Sequence, residues 1–215
     1  YQQALVLAET NEFSAYRSVI ASNIGDVYYH TETYDQALAY FKTAVLTLDD
    51  DADPIYRSEG DLRLAKVYMT IGQDDLARHH LALAENTITG SSNRYYRIDL
   101  LKQKYLFTKS TAPEDARPYL LEAEQLSHMA GAEKKRADLL LLLTEDYEST
   151  GAFQEALATF KEYHEVHQAI EASHLQHRLE IMRVEAQMPE SSQVGLVAPP
   201  HHFRRNHDMH QKEEL

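Results

Sequence analysis

Histidine is the side chain best able to do chemistry here: the 215 residues hold 12 histidines and no cysteine. His164, His167, His174 and His177 are spaced by three or seven, which sets them near one face of a helix. An i, i+3 pair on such a face can share a divalent metal. His201, His202, His207 and His210 form a second group near the end of the chain. Metal-dependent hydrolases carry tighter patterns such as H-E-x-x-H, which does not occur. The imidazoles therefore read first as solvated or packed side chains, with no metal site and no cofactor expected. A His-rich module answering to metal or pH is the alternative.

Other chemistry finds less support. No G-x-S-x-G, P-loop or G-x-G-x-x-G string is present. No catalytic residue is assigned, and any enzyme activity would belong to a domain outside this chain. Asp49-Asp50-Asp51-Ala52-Asp53 has the acid density of a calcium loop without its mid-loop glycine and closing glutamate, and reads as a solvated connector. His202-Phe203-Arg204-Arg205 is the one basic and aromatic cluster. With 21 basic against 34 acidic residues the net charge is -13, which repels a phosphate backbone, so no nucleic-acid partner is expected. The longest apolar run, Leu139 to Leu143, is far too short to span a membrane. Lack of cysteine removes disulfides and thiolate sites; it suits a cytoplasmic protein, with the periplasm as the alternative.

The elements that must position these side chains are helices. Glycine (7) and proline (6) are scarce, and helix-favouring residues dominate. Helices are expected over 1–10, 14–31, 34–48, 55–71, 74–88, 93–109, 114–130, 133–150 and 153–187. They repeat. Ile24-Gly25, Tyr28, Tyr34, Ala37, Phe41 and Ala44 recur 40 positions on as Leu64-Ala65, Tyr68, Ala77, Leu81 and Ala84, with Gly72 in the turn. A further 39 brings Phe107, Ala116, Leu120 and Ala123, and 40 more brings Leu143, Tyr147, Gly151, Ala156, Phe160 and Tyr163. Small residues let paired helices approach, and Phe41, Leu81, Leu120 and Phe160 are expected to fill the layer between neighbouring pairs. One pair cannot bury its apolar face alone, whereas stacked pairs share a continuous core. Tyr1 and Ala4 match Phe41 and Ala44, so the chain opens inside the second helix of an earlier unit and reads as a fragment or processed product.

This order of small, aromatic, alanine and aromatic residues over about 1–165 resembles the tetratricopeptide repeat (TPR) family. The units are longer than the usual ~34 residues, so a HEAT-like array is the alternative. The resemblance implies an all-α, right-handed α-α superhelix, a TPR-like solenoid of about four and a half helix pairs. It also implies that the first helix of each unit lines a concave groove for a protein or peptide. Carried over by the alignment, those positions are Ser22, Asp26 and Tyr29; Leu62, Lys66 and Met69; Leu101 and Tyr105; and Leu141, Glu145 and Glu148. TPRs that grip C-terminal chaperone tails use a Lys/Asn clamp, whose places hold Ser22 and Asp26 here, so that activity is not implied.

The last helix is set apart. From Phe153 to Gln187 it has no glycine or proline. Ile170, His174, His177, Ile181, Val184 and Met188 alternate by four and three, beside a stripe of Ala172, Leu175, Leu179, Met182 and Ala186. Residues 166–188 are expected either to cap the stack or to pair with a second copy as a homodimer. Residues 189–215, with Pro189, Gly195 and Pro199-Pro200, read as a tail or linker. A TPR array running into such a helix, with Tyr163-His164 and Arg183-Val184-Glu185-Ala186, resembles the sensory region of bacterial signalling proteins of the GGDEF family. That implies a regulatory module; a static assembly scaffold is the second reading.

Overall fold

A computed structural model describes residues 14–49, 52–89 and 93–187. Among them are eight α-helices and no strand: α1 Ser14–His30, α2 Tyr34–Leu46, α3 Pro54–Thr70, α4 Asp74–Thr89, α5 Arg94–Thr111, α6 Arg117–Met129, α7 Glu133–Ser149 and α8 Phe153–Gln187. The helix expected over 1–10 and the tail expected over 189–215 lie outside the described residues. None of the described helices is long and apolar enough to cross a membrane.

The helices pair as hairpins α1–α2, α3–α4, α5–α6 and α7–α8. A helix has to end with its last carbonyls satisfied, and the turn chemistry does this in the same way four times among the described residues. Gln73 N–H donates to the Tyr68 carbonyl at 2.8 Å and Gly72 N–H to Met69 at 3.2 Å, the two bonds of a Schellman cap. Thr33 to Tyr28, Ala132 to Ser127 and Ala152 to Tyr147 repeat the longer bond. The residue inside each loop has positive φ: Gly72 (73°), Gly131 (63°), Gly151 (74°) and, without a glycine, Glu32 (57°). At the start of α3, Asp53 caps the helix by accepting from Ile55 N–H at 3.0 Å, so one carboxylate of the acidic connector is a helix stop. Asp50 and Asp51 of that run lie outside the described residues.

The third hairpin differs from expectation. Pro113–Asp115 is a 3-10 turn, and α6 starts at Arg117. Pro118 explains the late start: it has no N–H to donate and fits only in the first turn of a helix.

The chain divides into two compact units, Tyr1–Ile170 and Glu171–Leu215. In the first, each helix packs on its neighbours in sequence, and α3 also touches α1 and α5. Ala37, Ala77 and Ala116 have no exposed surface, which lets the helices approach closely. Phe41 reaches into its own hairpin at Gly25, where a Cβ would sit 2.5 Å from the ring. Between hairpins, Phe41 packs with Leu64 and Val67, Leu81 with Leu100, and Leu120 with Leu139 and Leu143. Burial of each such side chain contributes about 1.5–3 kcal/mol. The fourth member of the row breaks the expected pattern: Phe41, Leu81 and Leu120 are 1%, 6% and 0% exposed, whereas Phe160 is 47% exposed. Each of the first three is covered by the first helix of the next hairpin, and among the described residues no such helix follows α8. α8 is held to α7 instead through Val166, Tyr163 and Ile170 against Ala137 and Leu140. In the second unit the described part is residues 171–187 of α8, where every residue of described exposure is exposed.

Candidate functional site

The first helices of three successive hairpins enclose a pocket of about 310 Å³. Helix α1 supplies Asp26; α3 supplies Glu59, Leu62, Arg63 and Lys66; α5 supplies Asp99, Lys102, Gln103 and Leu106. The spacing of the α3 set, 59, 62, 63 and 66, is that of one helical face, and the α5 set repeats it 40 positions on. Cross-helix charge pairs tie the walls together. Arg63 Nε is 3.4 Å from Asp26 Oδ2 on α1, and within α3 its Nη1 is 3.8 Å from Glu59. Lys135 pairs with Asp99, and Lys102 Nζ lies 3.9 Å from Asp138, which brings α7 to the rim. Three acids and three bases line the pocket, so it is balanced on a chain of net charge -13.

Two of these groups pay a desolvation penalty. Burial pushes the Glu59 carboxyl above its ordinary value, against the pull of Arg63. Burial also holds the Lys66 ammonium below its ordinary value, against the pull of Asp26. Lys66 makes no ion pair among the described residues; its ammonium rests over the Tyr29 ring, 4.0 Å from the centroid. The Tyr29 hydroxyl is 3.0 Å from Thr70 Oγ1, which fixes the ring across the α1–α3 seam. Gln103 buries its side-chain oxygen with no hydrogen-bond partner.

Of the positions carried over from the repeat alignment, the pocket brings together Asp26, Leu62 and Lys66, with Tyr29 beside Lys66. Ser22 is buried, and Met69 is half-buried against the α1–α4 core. Leu101 and Tyr105 do not face the pocket. Both are buried in the α5–α7 cluster. The physical reason is register: a step of 39 from Leu62 and Lys66 lands on them, whereas the α3 and α5 helices repeat at 40, which lands on Lys102 and Leu106. The missing residue falls between α5 and α6, at the 3-10 turn. Leu141, Glu145 and Glu148 are exposed on α7 and do not line the pocket. Glu59, Arg63, Asp99, Lys102, Gln103 and Leu106 also line the pocket and are not among the carried-over positions; a 40-residue step through α5 lands on Lys102 and Leu106.

A second polar cluster lies on the other side of α5. Asp146, 6% exposed, accepts from Arg117 Nε at 2.6 Å and from the Tyr105 hydroxyl at 3.1 Å, with Lys109 Nζ at 3.2 Å. Burial alone would raise its pKa, but the hydrogen bonds from Arg117 and Lys109 hold the carboxyl below its ordinary value. Its donors sit on α5 and α6, so it ties both helices to α7. Asp61 and His80 make a similar pair at 2.9 Å between α3 and α4, with His80 stacked on Tyr68. His164, His167, His174 and His177 are exposed, and His164 meets Gln168 at 3.0 Å. Among the described residues no group of three or more His, Cys, Asp or Glu converges on a common point.

No known family model matches the sequence. Over 135 residues the chain is 26% identical to the regulatory protein RapG of Bacillus subtilis (strain 168), in a match covering 62% of this chain and 37% of RapG. The chain thus spans little more than a third of that relative. A solved structure from Podosopora anserina, described as a kinesin light chain with nearly identical TPR-like repeats, is similar at a TM-score of 0.46 and 15% identity, covering 80% of this chain and 85% of that one. The recurring hairpins, with small residues at the close approaches and Phe41, Leu81 and Leu120 in the buried layers, make this chain an all-α repeat protein.

Proposed function

We propose that this chain is a non-catalytic binding module that holds a peptide, or an extended segment of a protein, in the pocket between α1, α3 and α5. The observation that carries the reading is the pair of half-desolvated charges, Glu59 and Lys66, facing a pocket whose wall holds an unpartnered amide oxygen. Groups that weaken the fold where they stand are expected where a ligand completes them. The likeness to a regulatory protein supports a regulatory use, and the setting proposed for it is a bacterial signalling protein of the cytoplasm. In that use, filling the groove alters the packing of successive hairpins, and α8 passes the change to a second copy or to an output domain of the GGDEF or another type. A static scaffold differs in one measurable respect: α1 and α3 would already be protected against hydrogen exchange without ligand.

The test is a selection from a random-sequence peptide library displayed against the protein. Enriched peptides should bind the wild type and lose at least tenfold in affinity to Glu59→Gln and Lys66→Met. Enriched peptides indifferent to both changes would remove the groove from the reading. Stability supplies a control with a definite sign. A carboxyl whose folded pKa is raised costs stability as it ionises. The wild type should therefore lose stability relative to Glu59→Gln as pH climbs above 4.5 and match it below.

A further inference from the structure

We propose that the face of α8 running from Leu157 to His167 docks an amphipathic helix of a partner protein. That helix lies antiparallel to α8, with carboxylates in its first half and apolar residues in its second. The face is a second binding surface, since the pocket residues all come from α1, α3 and α5.

The second helices of the earlier hairpins, α2, α4 and α6, show what this face does inside the array. Four of its positions recur in steps of 40, 39 and 40. At the first, Leu38 packs in the cluster of Leu64 and Val67, Arg78 lies 5.6 Å from the Phe107 ring centroid, and Arg117 lies 4.5 Å from that of Tyr147. At the second, Phe41, Leu81 and Leu120 fill the layer against the next hairpin. At the third, Val45 packs against Gly60, Glu85 accepts from Lys104 Nζ at 2.7 Å, and Glu124 accepts from Arg136 Nε at 2.8 Å. At the fourth, Leu48, Ile88 and Ser127 are buried.

On α8 the same four positions hold Leu157, Phe160, His164 and His167. All four are exposed, Leu157 at 56% and Phe160 at 47%. An apolar surface of this kind marks an interaction site. Its rings are already ordered: Phe160 and Tyr163 lie 5.9 Å apart between centroids, and Tyr163 and His167 lie 5.6 Å apart. Gln168 Nε2 donates to His164 Nε2 at 3.0 Å, so the His164 proton stays on Nδ1, where a carboxylate can accept it.

The interior junctions fix the direction and the chemistry of the occupant. Arg117, early on α6, meets Tyr147 near the end of α7, and Glu124, later on α6, meets Arg136 near its start. A helix seated the same way on α8 sets its later residues on Leu157 and Phe160 and its earlier ones on the imidazoles. Glu85 and Glu124 take a base at the third position; an imidazole N–H there takes a carboxylate. A second copy of α8 is a poor match over the same positions. Antiparallel, Leu157 would fall on His167 and Phe160 on His164; parallel, His164 would fall on His164. The first helices α3, α5 and α7 of a second copy already bury their apolar faces in their own junctions. A separate amphipathic helix, the helix-in-groove mode of recognition, meets both the apolar and the imidazole half.

The probes are hydrocarbon-stapled helical peptides. One has glutamates in its first half and leucines in its second, one has lysines in place of the glutamates, and one has the two halves exchanged. Fluorescence anisotropy should show the glutamate-first peptide binding the wild type about tenfold more tightly than either of the others. Phe160→Glu, at an exposed position, should weaken it about tenfold with helix content unchanged by circular dichroism. His164→Glu should invert the choice and favour the lysine peptide, while Lys66→Met, in the pocket, should change nothing. No binding of the glutamate-first peptide, equal binding of the exchanged peptide, a His164→Glu variant that still prefers glutamate, or binding lost in Lys66→Met would each overturn the proposal. So would a wild type that light scattering shows to be a dimer and Phe160→Glu a monomer, because a second copy would then cover the face.

Discussion

Asp146 shows how much one side chain can hold in a repeat whose helices meet mainly through alanine and leucine. It is nearly enclosed, and it gathers Tyr105 and Lys109 from α5 and Arg117 from the start of α6 onto α7. Lys109 also donates to the Tyr105 hydroxyl at 2.7 Å, so the donors are ordered by one another. Replacing Asp146 by Asn keeps the shape and removes the charge that three donors share. Hydrogen bonds to a charged group are worth about 1.5–3 kcal/mol each, and partial retention by the amide should leave a loss of about 2 kcal/mol in denaturant unfolding at neutral pH. The sign with pH follows from the depressed folded pKa. The stabilisation is complete above the unfolded value of 3.8 and is lost as pH falls through the lower folded value. The gap between wild type and Asp146→Asn should therefore close in acid below that point, and a gap that persists there would mean that packing, not charge, is responsible.

At the scale of the helix, close approach is set by glycine and alanine. A Cβ at Gly60 on α3 would lie 2.3 Å from Val45 Cγ2 on α2, so Gly60→Ala forces the two hairpins apart. Overpacking of this kind costs about 1–3 kcal/mol. Val45→Ala should restore most of the loss, and a double-mutant cycle on unfolding free energies measures the coupling directly. Helix existence, the hairpin pairing and the buried alanine row were all legible in the sequence, because periodicity and turn residues act locally. The α3–α5 step was not, because the repeat spacing was set on Ala116 and Leu120, which lie one residue nearer to α5 than Ala77 and Leu81 lie to α3. A single residue rotates a helical position by about 100°, enough to turn Leu101 and Tyr105 inward and Lys102 and Leu106 toward the pocket. The pairing of Arg63 with Asp26 and of Lys135 with Asp99 was also hidden, since it joins residues more than 35 apart whose meeting depends on how hairpins stack.

In the repeat unit taken as a whole, stability is a sum of hairpin terms and nearest-neighbour interfaces, so damage should stay close to where it is made. Leu120 tests this because it is fully buried in the layer shared by α5, α6 and α7. Leu120→Ala should cost about 2–5 kcal/mol in that layer. If the hairpins couple only to their neighbours, hydrogen exchange should accelerate most in α5, α6 and α7, less in α3 and α4, and least in α1 and α2. A module that transmits groove occupancy needs coupling of intermediate reach: Asp26, Glu59 and Asp99 sit on three different hairpins, so a ligand in that pocket would touch all three. Exchange in Leu120→Ala should then become more uniform across α1 to α6 when a groove-binding peptide is added. Equal acceleration of every helix without peptide would show a single cooperative block, which has no separable hairpins for a ligand to join.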